Sequence, residues 1–130
     1  MKKKKDVFEI KKLPAKCNYL APDGSEIRLL PALKYGGFCH CTLPGGKISD
    51  AVKHKTVTEI WYVLSGEGKM WQKKGEAEKN IILTKGACLT IPTGNHFQFR
   101  NTGRQPLCIL IATMPPWPGK NEAIHVEGKW

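Results

Sequence analysis

The chain has 130 residues, enough for one domain with a single core, and its 41% hydrophobic and 25% charged residues are those of an ordinary globular protein. No apolar run approaches the length of a membrane helix, so a membrane partner is not expected. The net charge is +10, but six lysines against Asp6 and Glu9 place +4 of it in residues 1–12, and the other +6 is spread over turns such as Lys73-Lys74-Gly75.

With no basic helix, RNA-binding aromatic motif or zinc-finger spacing, nucleic acid is not an expected partner. A solvated surface, or attraction of anionic metabolites, is the expected use of the charge.

In chain order, residues 1–14 read as a basic, loosely docked arm. The run after Lys2–Lys5 has no apolar core, so it is not read as a secretory signal, and a cytoplasmic location is expected. Residues 15–114 read as the domain. Pro22-Asp23-Gly24-Ser25 is a turn, followed by strands over Glu26–Leu30 and Gly37–Leu43, the second stopped by Pro44-Gly45-Gly46. Val57–Leu64 is the clearest strand, rich in β-branched and aromatic residues. Ser65-Gly66-Glu67-Gly68 predicts a hairpin into Lys69–Gln72. Strands over Asn80–Leu83, Leu89–Ile91, Phe97–Asn101 and Leu107–Ala112 follow. Eight or nine short strands between Gly and Pro turns predict an all-β fold, an antiparallel jelly-roll β-barrel.

Residues 115–130 open with Pro-Pro-Trp-Pro-Gly, which cannot continue a ladder because proline lacks the donor. Trp117 and Trp130 weigh against free disorder, so an extended strap is expected over the barrel or a partner subunit. His125, within it, is expected to be exposed.

The five cysteines are an odd number, read as reduced thiols rather than a disulfide framework. In Cys39-His40-Cys41 the strand alternation puts the thiols on one face and His40 on the other, so the three cannot share a metal. Alternation also groups Glu59, Trp61 and Val63 against Ile60, Tyr62 and Leu64.

The spacing His54-x4-Glu59-x6-Gly66, followed by Gly86-x5-Pro92-x-Gly94, resembles the paired motifs of the cupin family. The resemblance implies a jelly-roll barrel that takes a small molecule, often as a homodimer. In that family the first motif carries His-x-His and then Glu. Here the second histidine falls on His54 and the glutamate on Glu59, while Val52 holds the first histidine position. The second motif ends Gly-x2-His-x3-Asn. Asn101 is in register, but Phe97 fills the histidine slot and His96 lies one residue early. On a regular strand His96, Gln98 and Arg100 face one way and Phe97 and Phe99 the other; a bulge after Gly94-Asn95 would re-aim His96.

The resemblance therefore implies a divalent metal (Fe, Mn, Ni or Zn) on His54, Glu59 and His96, or a metal-free barrel in which His54 and Glu59 are an acid/base pair. His40, Trp61, Phe97 and Gln98 are candidate substrate-binding residues. Arg100 reads as a surface residue. Three functions stay open: a metal-dependent enzyme such as an oxygenase, isomerase or lyase, a metal-free acid/base enzyme, and a binding module for a sugar-like or carboxylate ligand.

Overall fold

Alternating apolar and polar residues bury one face of each strand, and a chain with many such strands closes its faces by stacking two sheets. In a computed structural model, which describes residues 6–130, the strands are β1 Tyr19–Leu20, β2 Glu26–Leu33, β3 Gly36–Leu43, β4 Val52–His54, β5 Thr58–Ser65, β6 Glu67–Lys74, β7 Ala77–Thr84, β8 Cys88–Ile91, β9 His96–Asn101, β10 Leu107–Met114 and β11 Ala123–His125. One sheet has the order β1-β2-β3-β10-β5-β8 and the other β11-β4-β9-β6-β7, with antiparallel pairing throughout. This is the expected jelly roll. The eight expected strands all form, and three short ones (β1, β4 and β11) are added.

The core lies between the sheets. Trp61 and Val63 of β5, Ile109 and Ile111 of β10, and Phe97 and Phe99 of β9 all point into it. Trp61 meets Phe99 edge-on with ring centroids 4.9 Å apart, a geometry worth about 1 kcal/mol beyond burial. Buried Asn101 ends the second motif as a clasp: its Nδ2 donates to Leu43 O and Gln105 O at 2.9 and 2.7 Å, and its Oδ1 accepts from Gly103 N–H.

The turn at Ser65-Gly66-Glu67 does not make the expected hairpin. β5 and β6 lie in different sheets, and the chain crosses between them there. Gly66 has φ +93°, and a Cβ on it would stand 2.6 Å from Pro106 O, so the crossing requires glycine. The hairpin comes one turn later, at Gly75 between β6 and β7, where Lys74 pairs with Ala77. Turn residues encode a reversal, not the sheet that receives the next strand.

The C-terminal segment also departs from expectation. Residues 115–118 leave the ladder as their prolines dictate, but Ala123–His125 re-enter it as β11, pairing Ala123 with His54 and His125 with Val52. Proline forbids pairing only locally, and Ala-Ile-His has its donors. His125 is exposed, with its Nε2 3.0 Å from Pro22 O.

Of the basic arm, residues 1–5 lie outside the described residues. Residues 6–14 carry no regular structure. They are tied down where Arg28 donates from Nε to Pro14 O (3.0 Å) and from Nη2 to Ala15 O (3.1 Å), and where Asp6 accepts from the Lys34 N–H. No helix among the described residues is long and apolar enough to cross a membrane.

Candidate functional site

A cavity of about 700 Å³ opens between the sheets, with β5, β4, β9 and β3 contributing to its wall. That volume suits a small organic molecule.

The strand phase of β5 sends Glu59 and Trp61 into it. Glu59 is only 6% exposed, and Trp61 Nε1 donates to its Oε1 at 3.0 Å. Burial pushes the Glu59 carboxyl up to about 7, against the lowering effect of the Trp61 bond and with a smaller upward push from Asp23 and Glu122. Near neutral pH the group is thus divided between acid and base.

His54, on β4, is also 6% exposed and lines the same cavity. Its ring stands edge-on to Phe97 at 5.2 Å and to Trp117 at 5.1 Å. Burial lowers its pKa to about 4, although Glu122 pulls upward, so the imidazole is neutral at pH 7. Its Nδ1 is buried with no hydrogen-bond partner among the described residues. Such a nitrogen is costly unless a ligand or water satisfies it.

Of the candidate substrate-binding residues, Trp61 and Phe97 line the cavity. Three other candidates do not. β9 is regular through His96, with no bulge, and pairs it with Lys73, so His96 turns away from the barrel and burial beside Lys53 and Lys73 lowers its pKa. Gln98 shares that outer face. It is buried beneath the chain end, donating to Ser49 O (2.9 Å) and Trp130 O (3.3 Å) and accepting from Lys129 and Trp130 N–H. His40 pairs across the sheet with Arg28 and Leu110 and lies outside the cavity, while its neighbours Cys39 and Cys41 line it. Proximity of the strand is as expected, but the strand phase assigns the thiols inward. Arg100 is on the outer face, with its guanidinium 5.6 Å from the Trp130 ring.

The residues present do not fit a metal. Val52 and Phe97 take the two missing histidine positions, His96 is on the wrong face, and only His54 and Glu59 remain of the motif ligands. Among the described residues, no group of three or more His, Cys, Asp or Glu could hold an ion. Structural zinc sites take four protein donors and catalytic zinc sites three.

Sequence reasoning missed four contributors. Asp23 reads as a turn residue, and its Oδ1 does accept from Ser25 N–H and Oγ at 2.9 and 2.6 Å, but it also lines the cavity, and burial raises its pKa. Tyr19 lines it too, its phenol pushed up to about 12 chiefly by burial. Trp117 reaches it from the strap; a tryptophan among prolines was the available signal. Glu122 had none: its carboxylate accepts from Thr56 N–H (2.7 Å), Thr56 Oγ1 (2.5 Å) and Val57 N–H (3.1 Å). Burial acts to raise its pKa, but those bonds and His54 outweigh it and hold the group low.

Two stacked antiparallel sheets around a ligand-sized interior define a barrel of the antiparallel jelly-roll class. The chain belongs to the cupin family, whose cupin-domain model matches residues 39–113. An uncharacterized protein of Methanocaldococcus jannaschii, MJ1618, is 32% identical over 111 residues, covering 82% of this chain and 86% of that one. Among solved structures, Streptomyces Pac13, described as a nucleoside dehydratase, is similar with TM-score 0.68 and 11% identity over 91% of this chain and 92% of that one. A protein of Thermotoga maritima described as a predicted oxalate decarboxylase gives TM-score 0.61 and 24% identity, covering 70% and 80%. Staphylococcus aureus CapF, a capsular polysaccharide assembling protein, gives TM-score 0.68 and 17% identity over 80% of this chain, which spans 30% of CapF. At these identities the structural likeness establishes the fold alone.

Proposed function

We propose that this cupin catalyses proton transfer on a small organic molecule held in the barrel, as an isomerase or lyase, with Glu59 and His54 as the acid/base pair and no metal. The observation that carries this is a glutamate with pKa about 7 and a neutral imidazole with a free Nδ1 in one buried cavity. A general acid or base works best when its pKa lies near the working pH. Glu59 takes the substrate proton, the Trp61 N–H holds its carboxyl in place, and His54 Nδ1 accepts a hydrogen bond from a substrate hydroxyl or N–H. The dehydratase description of Pac13 is of the same reaction class, on a similar fold.

The family's metal chemistry is the alternative, and the donor set disfavours it. The test is NMR in D₂O against a panel of small carbonyl and hydroxy compounds, with metal content measured on the same sample. Expected is deuterium exchange or elimination with one compound class, unchanged by chelator and lost in Glu59→Gln. Stoichiometric metal that vanishes in Glu59→Gln would overturn the reading in favour of a metalloenzyme. A ligand that saturates the site and is recovered without exchange would overturn it in favour of a binding module.

We propose further that the protein is a homodimer in a reducing compartment such as the cytoplasm, where its five unpaired cysteines stay thiols. The outer face of the first sheet supports pairing. Its central rows run Phe38–Ala112–Ile60 and His40–Leu110–Tyr62, with Phe38, Ile60 and Tyr62 at 50%, 40% and 45% exposed. No Lys, Arg, Asp or Glu lies among these six residues. Copies of a chain with net charge +10 repel, and this uncharged patch, bordered by Arg28 beside His40, is where they can approach.

A further inference from the structure

The surface and the interior of this protein carry opposite electrostatic character. The chain is strongly basic, yet two buried carboxyls, Asp23 and Glu59, line the cavity, and among the described residues no lysine or arginine is buried there to answer them. The lysines that reach the cavity, Lys11 and Lys34, are exposed residues of the arm and of the β2–β3 turn. Their field is screened over about 8 Å at physiological salt. Asp23 engages Oδ1 with Ser25, and Glu59 engages Oε1 with Trp61. Among the described residues, the second oxygen of each carboxyl has no hydrogen bond.

The remaining wall is aromatic and apolar, with Tyr19, Trp61, Phe97 and Trp117 around the cavity. Aromatic faces attract cations as well as apolar groups. His54, nine-tenths buried, adds an Nδ1 without a partner among the described residues, so the cavity holds an unsatisfied imidazole nitrogen beside the two carboxyls. An anion here would meet two buried carboxyls and, among the described residues, only the exposed Lys11 and Lys34 to answer it. A cation would meet acceptors on one side and rings on the other.

We propose that the cavity binds an organic cation, a protonated amine or quaternary ammonium on an apolar body, with its head at Asp23 and Glu59 and its body among Trp61, Phe97 and Trp117. The assignment names the substrate class for the acid/base reading and rests on the same cavity, but its test needs binding only. A bound cation beside Glu59 favours the carboxylate, the form that accepts a proton.

The test compares 2-phenylethylamine, 2-phenylethanol and phenylacetate, which share a body and differ in charge, by titration calorimetry and tryptophan fluorescence at neutral pH. The amine is expected to bind about tenfold more tightly than the alcohol, a ratio corresponding to one modest charge interaction, and phenylacetate most weakly. Asp23→Asn, which keeps an acceptor for Ser25, and Glu59→Gln should each erase most of that preference, read as the ratio of amine to alcohol affinity within each variant. Equal affinities, tightest binding of phenylacetate, no saturable binding of the amine, or a preference that survives both substitutions would each overturn the proposal. Proton exchange on a neutral compound with no cation preference would sink this inference and leave the acid/base reading standing. Cation preference without exchange on any panel compound would do the reverse.

Discussion

Val52 on β4 and Phe97 on β9 are direct cross-strand partners, and each holds a position where the cupin motifs carry a histidine. Both are 1% exposed. Two imidazoles that would have met at a metal are replaced by two apolar side chains that meet each other. The departures from the motif are therefore one packing unit, and they leave His54 and Glu59 beside an aromatic wall.

Restoring that pair should restore the ligand set. Val52→His combined with Phe97→His is expected to take up about one nickel or zinc ion per chain, bound by three imidazoles and a carboxylate. Adding Glu59→Gln should weaken it. Metal analysis of the folded variants checks this, with wild type beside them; stoichiometric metal in the wild type would contradict the account of the site.

The pH dependence of stability carries two opposing terms. Glu59 binds its proton more tightly when folded, with pKa about 7 against 4.5, so its contribution is complete at low pH and is lost as pH rises between those values. His54 binds its proton less tightly when folded, about 4 against 6.5, so its burial costs stability as pH falls through that window. The two slopes cancel between about pH 4.5 and 6.5. Glu59→Gln removes one of them, so the variant should lose stability on acidification where the wild type does not. The advantage of wild type over variant should shrink by about 2–3 kcal/mol from pH 4.5 to 7, at roughly 1.4 kcal/mol per pKa unit. Asp23, Glu122, Tyr19, Cys39 and Cys41 also act near these groups, and the difference between proteins isolates Glu59. Urea melts across the range would show it; a flat difference would mean that the carboxyl is not held neutral.

Thiol reactivity should divide the cysteines by position. Cys88 is exposed, whereas burial pushes Cys39 up to about 12 and raises buried Cys41 well above the usual thiol range. Only thiolates react. Maleimide labelling of the native protein is expected to modify Cys88 first and Cys41 last, read by mass spectrometry of peptides. Early labelling of Cys41 would show that the cavity opens widely.

Leu110→Lys or Tyr62→Lys would place charge in the middle of the uncharged patch on that sheet. Light scattering should find wild type at twice the chain mass and these variants at the chain mass, still folded. A monomeric wild type would remove the dimer from the proposal.

The parts legible in the sequence were those set by local period and motif spacing. Glu59, Trp61 and Val63 share a buried face because a strand repeats every two residues, and that rule also warned that His96 stood out of phase. His40 was assigned from the expected nearness of its strand, and the same rule of two places it outside. Asp23, Glu122 and the destination of β6 were not legible because long-range pairing decides them. Glu122 bonds residues 66 and 65 positions away, and nothing near it in sequence marks an N–H that distant. Gln98 was misjudged for the same reason, since its partners Lys129 and Trp130 lie at the far end of the chain.

β4 is three residues long, pairs with β9 at Val52 alone, and carries His54. Its other edge is β11, and the residues after His54 are anchored by Glu122. Residues 117–125 lie beyond both cupin motifs in the chain, so the motifs alone do not supply the neighbours that hold His54. The site is thus completed by a segment outside the matched family region, and a chain carrying the family's signature without that segment would lack the hold on His54.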